Sequence, residues 1–190
     1  MDLSGEQRRI LLDIARQTIR STLGDDSAAP DFHDDPILHQ PAGCFVTLHT
    51  LDNHHLRGCV GRLDAKEKLI LALRQAAASV LRDPRFANSP VRVAELPLLE
   101  IELTVIGPMQ PARDCLDFDP LEHGIYLTIE HRGGCFLPQV GRETGWTRQQ
   151  LLTRLCEEKL DLPGDRWLDE SAQLMKFRTV IVGPEPFEPP

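Results

Sequence analysis

The sequence predicts an α+β fold, a mixed sheet with flanking helices. Three observations carry this: three segments with apolar residues at helical spacing, about six segments that alternate, and turn signals joining several of these as hairpins. At 190 residues with 41% hydrophobic and 26% charged residues, the chain suits one domain or two closely packed lobes. A chain of this size buries roughly 70% of its unfolded surface, so a core forms without disulfides or a structural metal. Disorder as the main state is excluded.

The leading helix is expected from about Gly5 to Leu23. Ser4-Gly5-Glu6-Gln7 reads as a capping box, Ile10, Leu11, Ile14, Ala15, Ile19 and Leu23 recur at helical spacing, and Gly24 stops the run. Arg8, Arg9, Arg16 and Arg20 are expected to form a solvated face. A polar connector follows, with Asp25, Asp26, Asp31, Asp34 and Asp35 among three prolines, packed down at Ile37 and Leu38. His33-Asp34-Asp35 within it reads as a solvated loop rather than a cation site.

Cys44 to Leu51 and His54 to Leu63 alternate around Asp52-Asn53, a hairpin signal. Asp64-Ala65-Lys66-Glu67 then opens a second helix, whose buried stripe is Leu69, Ile70, Leu73, Ala76, Ala77, Val80 and Leu81; Asp83-Pro84 ends it. Leu99, Ile101, Leu103 and Val105 alternate with Glu100, Glu102 and Thr104, as in a strand with one apolar and one polar face.

Ile125, Leu127 and Ile129 alternate again, and His131-Arg132-Gly133-Gly134 turns into a strand over Cys135 to Val140. Thr147-x-x-Gln150 caps a third helix, stopped by Pro163-Gly164. A last strand runs from Gln173 to Val182, before prolines that do not continue a sheet. The organisation is thus a leading helix (1–24), an acidic connector (25–42), a core (43–184) and a proline-rich tail (185–190), one domain overall.

The formal charge of −8 argues against non-specific coating of nucleic acid. No run of ~18 apolar residues would span a membrane, and Met1-Asp2 opens no signal peptide, so a cytoplasmic location is expected. The five cysteines, Cys44, Cys59, Cys115, Cys135 and Cys156, are odd in number and widely spaced, which points to reduced thiols. From His54 through Arg92 there are eight basic and three acidic residues, +5 locally and therefore −13 elsewhere. Such a field suits an anionic substrate.

The run His54-His55-Leu56-Arg57-Gly58-Cys59-Val60-Gly61 holds the candidate chemistry. In a regular strand His55, Arg57, Cys59 and Gly61 share one face. Arg57 then lies beside the thiol and favours the thiolate, while His54 or His55 supplies a base. Gly58 and Gly61 mark a close approach of ligand or backbone. The structural alternative makes Cys59 a small buried hydrophobe and the glycines a device for sheet packing. A metal bound by His49, His54, His55 and Cys59 is disfavoured because the run lacks a carboxylate, and no cofactor is expected. Asp83 is placed to orient Arg57 or Arg85 for an anion, and Gln139, after a strand proline, offers a donor and an acceptor. Glu100 and Glu102 lie two apart on one strand face, as a carboxylate pair for acid/base work would, although a solvated strand face is the commoner outcome.

Gly43-Cys44-Phe45-Val46-Thr47-Leu48, Leu56-Arg57-Gly58-Cys59-Val60-Gly61, Asp83-Pro84-Arg85-Phe86, Leu99 through Val105, Gly124-Ile125, Leu137-Pro138-Gln139-Val140 and Trp146 resemble, in order, the AMMECR domain family. The L-R-G-C-[IV]-G run is the family's hallmark. The leading Leu11-Leu12-Asp13-Ile14-Ala15-Arg16 is similar to the prokaryotic branch known as AmmeMemoRadiSam system protein A. Val60 stands where many members have isoleucine, and Gly134-Cys135-Phe136 replaces a more aliphatic run.

The resemblance implies two unequal lobes with the hallmark run near their cleft. It implies genomic company with a Memo-type protein and a radical SAM protein, and a role in modifying RNA or another nucleotide-like substrate. On this reading Cys59, Arg57 and His55 are the catalytic candidates, and Gly58, Gly61, Arg85, Gln139 and Glu102 contact the substrate. The alternative is a non-catalytic module that binds a nucleotide or a partner protein.

Overall fold

The structure, a computed structural model, describes residues 2–25 and 35–188. His33-Asp34 and most of the acidic connector lie outside the described residues. The chain divides into two compact units, one spanning Met1–Ile106 and Val180–Pro190, the other Gly107–Thr179. The expected α+β class is present, with the strands divided between two antiparallel four-stranded sheets rather than gathered in one mixed sheet. Several neighbouring strands are joined by short turns, and only antiparallel pairs can be joined that way.

In the first unit, helix α1 (Gly5–Thr22) begins with the expected capping box, in which Ser4 Oγ accepts from the Gln7 amide and Gln7 Oε1 accepts from the Ser4 amide. Strands β1 (Gly43–Thr50), β2 (Leu56–Arg62), β3 (Leu99–Ile106) and β8 (Thr179–Pro186) form a sheet in the order β2-β1-β3-β8. Cys44, Val46 and Leu48 of β1 and Leu99, Ile101, Leu103 and Val105 of β3 join one core with the buried stripes of α1 and of helix α2 (Leu69–Ser79). Each fully buried Leu, Ile or Val contributes about 1.5–3 kcal/mol, so this face dominates the unit's stability.

Three expectations are corrected here. The α1 arginines are not all solvated: Arg8 Nη1 donates to the Ile181 carbonyl at 2.7 Å, Arg16 Nη2 to the Pro186 carbonyl at 2.8 Å, and Arg20 pairs with Glu188 at 2.6 Å. The single last strand expected over Gln173 to Val182 is two, one over Ala172–Phe177 in the sheet of the second unit and β8 in this one, and β8 passes through Pro184 to Pro186 and is followed by a buried Phe187. An edge strand tolerates proline, because a missing N–H there faces no neighbour. Helix α2 starts at Leu69 without a side-chain cap, because Asp64 and Glu67 engage Arg62 at 2.7 and 3.2 Å instead of closing a capping box. Its end, a 3₁₀ turn through Arg82 followed by Asp83-Pro84, is as the proline requires.

The second unit holds β4 (Gln110–Pro111), β5 (Gly124–Ile129), β6 (Arg132–Phe136) and β7 (Ala172–Phe177) in the order β4-β7-β5-β6. Helices α3 (Pro138–Thr144) and α4 (Arg148–Leu155) follow β6, and α4 carries the expected Thr147/Gln150 capping box. The strand expected over Cys135 to Val140 ends at Phe136. Pro138 takes the first helical position of α3, where its fixed φ is preorganised and its absent N–H costs nothing.

Phe187 is 1% exposed in the core of the first unit. Phe187→Ala is expected to lower stability by about 3–5 kcal/mol in urea unfolding, as for other buried phenylalanines. A loss below ~1 kcal/mol would show that the segment after β8 is dispensable.

Candidate functional site

The sheet of the first unit has a second face, opposite the apolar one. The β1/β2 register sets Thr47 opposite Cys59 and Phe45 opposite Gly61; the β1/β3 register sets Thr47 opposite Glu102, His49 opposite Glu100 and Phe45 opposite Thr104. Cys59, Thr47 and Glu102 therefore form one row across three adjacent strands. At ~4.8 Å per strand, the row spans roughly 10 Å. Thr47 Oγ1 donates to Cys59 Sγ at 3.4 Å.

The polar face of β3 is not solvated as expected, since Glu100 and Thr104 are buried. A central strand has neighbours on both sides, which the alternation pattern alone does not reveal. Glu100 Oε1 lies 2.5 Å from Nδ1 of His54 and 4.0 Å from Nδ1 of His49. His54 reaches it from the hairpin turn with a left-handed φ of 53°, a conformation that persists in a non-glycine residue only where its surroundings enforce it. Burial, and then the Glu100 charge, raise the Glu102 carboxyl above its ordinary value. Burial lowers His49 and so favours its neutral ring, an effect that the Glu100 charge opposes.

A buried carboxylate sets the position of Cys59. Asp83 Oδ2 accepts from the Cys59 amide at 2.9 Å, and Asp83 Oδ1 accepts from the Arg85 amide at 3.1 Å. The Arg85 guanidinium bonds both Asp83 oxygens, at 3.0 and 2.6 Å, and donates to the Cys59 carbonyl at 3.2 Å. Both backbone polar groups of Cys59 on the open side of β2 are thereby satisfied. Arg85, with the two amides, holds the Asp83 carboxyl well below the usual carboxylate range.

The hallmark run is not a regular strand. The pairing skips one residue between Leu48/His49 and Gly58/Leu56, a β-bulge that takes Arg57 out of step with Cys59. The Arg57 guanidinium bonds Glu95 Oε1 and Oε2 at 2.6 and 3.1 Å and the Ser89 carbonyl at 3.1 Å, and lies 5.7 Å over the Phe86 ring. The cation that reaches Cys59 is Arg85. His55 is exposed in the turn, where its amide bonds Thr50 and Asn53, while His54 makes the carboxylate contact.

Each glycine of the run has a packing neighbour. A Cβ on Gly58 would stand 2.7 Å from the Val80 carbonyl, and one on Gly61 would stand 2.5 Å from Phe45 Cα and 2.2 Å from the Cys44 carbonyl. Gln139 lies in α3 of the second unit, its Oε1 buried without a hydrogen-bond partner among the described residues. No three His, Cys, Asp or Glu side chains among the described residues are grouped as metal ligands. Burial pushes the Cys44 thiol up to about 12 and raises Cys115, Cys135 and Cys156.

The family model described as AMMECR1 matches residues 12–182. The chain belongs to the AMMECR1 family. A protein of Methanothermobacter thermautotrophicus is 35% identical over 188 residues, covering 94% of this chain and 95% of its own length. Protein MJ0810 of Methanocaldococcus jannaschii is 34% identical over 152 residues, 76% of this chain and 74% of its own. The crystal structure of the uncharacterized protein PH0010 from Pyrococcus horikoshii superposes with a TM-score of 0.78 at 30% identity, covering 94% of this chain and 92% of that one. No helix among the described residues is long and apolar enough to cross a membrane.

Two outcomes follow from the charges. Glu100→Gln removes the anion that helps hold Glu102 up, so the Glu102 carboxyl is expected to titrate lower than in the parent while remaining above its ordinary value. Carbon-13 NMR titration of the side-chain carboxyl measures this, and an unchanged midpoint would remove Glu100 from the account. Asp83→Asn is expected to destabilise the protein at neutral pH. Because the folded Asp83 is depressed, its contribution is full above the unfolded value of ~3.9 and lost as pH falls toward the folded one. The stability gap between parent and variant should therefore close in acid. A gap that widens in acid would reverse the assignment.

Proposed function

We propose that this AMMECR1 protein is a thiol-dependent enzyme in which Cys59 is the nucleophile and Glu102 the acid–base group, acting on a nucleotide-like anionic substrate or RNA. The observation that supports it is the row Cys59, Thr47, Glu102, with the Thr47 hydroxyl donating to the sulfur. A hydroxyl donor stabilises a thiolate, and a carboxyl raised by burial holds a proton closer to neutral pH, where it serves a leaving group. Sγ forms a bond to the electrophilic centre, and the departing group leaves with the Glu102 proton. A redox role is less well supported, because the row offers Cys59 no resolving cysteine.

In this reading Asp83, Arg85 and Arg57 act on the backbone and the surroundings of Cys59, and His54, rather than His55, acts through Glu100. Memo-type and radical SAM proteins, implied by the family resemblance, are the proposed companions in the modification pathway. The alternative, a non-catalytic module for a nucleotide or a partner, draws support from the cations: Arg57 is held by Glu95 and Arg85 by Asp83.

Iodoacetamide alkylation of the folded protein, mapped by peptide mass spectrometry, tests the thiol. Cys59 is expected to react first, with Cys44 and Cys156 unmodified because both are buried. Thr47→Val is expected to slow the reaction severalfold at neutral pH. Prior labelling of Cys115 or Cys135 with Cys59 inert would overturn the proposal. Cys59→Ser that leaves both pathway output and co-purification with the companion proteins intact would favour the binding module.

A further inference from the structure

We propose that the groove between β2 and α2 docks a short acidic segment of a partner protein in extended conformation, adding a strand to the edge of β2 at Gly61. β2 is an edge strand. The outward backbone groups of an antiparallel edge recur every second residue. At Cys59 these groups are met by Asp83 and Arg85. Two residues on, the Gly61 N–H and C=O face the same way, and among the described residues no hydrogen bond meets them. The edge is closed at one position and open at the next.

The open position adjoins a groove of about 320 Å³ lined by Val60, Gly61 and Arg62 on the strand side and by Ala72, Gln75, Ala76 and Ser79 on the helix side. Ala72 and Ala76 are buried and short, while Ser79 is exposed and presents a hydroxyl, and the exposed Gln75 accepts from Arg62 Nη1 at 3.3 Å through its Oε1 and keeps its amide NH₂ for a ligand. From Ala72 to Ser79 the helix rises roughly 10 Å, the length of about three extended residues. An edge strand with a helix alongside, leaving a groove between them, is the geometry of strand-addition peptide sites: main-chain bonds supply affinity and alternate side chains enter the groove.

Charge selects the occupant. Lys68, which precedes α2, and Arg82, in the 3₁₀ turn that follows it, bracket the helix with two basic residues, and the groove-lining positions 72, 75, 76 and 79 between them carry no acidic residue. Both are exposed, and neither is ion-paired among the described residues. Arg62, on the strand side, is already neutralised by Asp64 and Glu67, so Lys68 and Arg82 supply the attraction. The inference concerns the sheet's edge and stands independently of the reactivity of Cys59.

The test uses the full chain, labelled with nitrogen-15, and a short peptide alternating glutamate and valine. The expected result is slowed hydrogen exchange at the Gly61 amide and resonance shifts confined to β2 and α2. Replacing glutamate by lysine in the peptide, or methylating its backbone nitrogens, should weaken binding about tenfold or more. Lys68→Glu with Arg82→Glu should do the same, and Ser79→Trp, an exposed position, should block the groove without entering the core. Cys59→Ser should leave binding unchanged, which separates this test from that of the thiol chemistry. Unaltered Gly61 exchange at millimolar peptide, or equal binding of the lysine peptide, would overturn the proposal.

Discussion

One buried carboxylate organises the hallmark region. Asp83 ends α2 through the proline that follows it, and from that fixed position it takes the Cys59 amide on one oxygen and the Arg85 amide on the other. An edge strand without such a partner exposes its backbone to water or to another chain. Here the edge is tied to the end of the helix that covers the sheet, so the height of Cys59 on the sheet is set by packing rather than by the hairpin alone. Gly58 belongs to the same device. Its missing side chain lets Val80 approach, and that approach brings Asp83 within reach.

Much of the fold was legible because it rests on local chemistry. Both capping boxes, at Ser4/Gln7 and Thr147/Gln150, the Asp83-Pro84 stop, and the alternation of β1 and β3 needed no long-range information. Pro138 was ambiguous by nature: a proline after an apolar residue suits an edge strand or a helix start, and only the packing of Gly141 against Pro120 shows that a helix was required. The candidate site was legible in outline, around Cys59, and illegible in its members. Thr47 and His49 alternate visibly with Cys44, Val46 and Leu48, but their partners depend on register. The bulge that separates Arg57 from Cys59 leaves no mark in the sequence. Glu95 lies 38 residues from the arginine it neutralises.

The local excess of positive charge shows the same limit. Arg57, Arg62 and Arg85, three of the eight basic residues from His54 through Arg92, are each committed to a carboxylate within the first unit. Pairing of this kind removes the charge from the far field. Formal charge over a sequence window therefore overstates the attraction felt by a distant anion. What remains is the close field of groups left unpaired along α2.

The clasp between α1 and the far end of the chain bears on biosynthesis. Residues from Ile181 to Glu188 are gripped by Arg8, Arg16 and Arg20, and Phe187 completes the core that α1 began. The second unit is inserted between β3 and β8, the strands that close the first. On the ribosome the inserted unit can finish before the unit that hosts it. The host, although begun first, closes its apolar flank only once β8 and Phe187 have emerged.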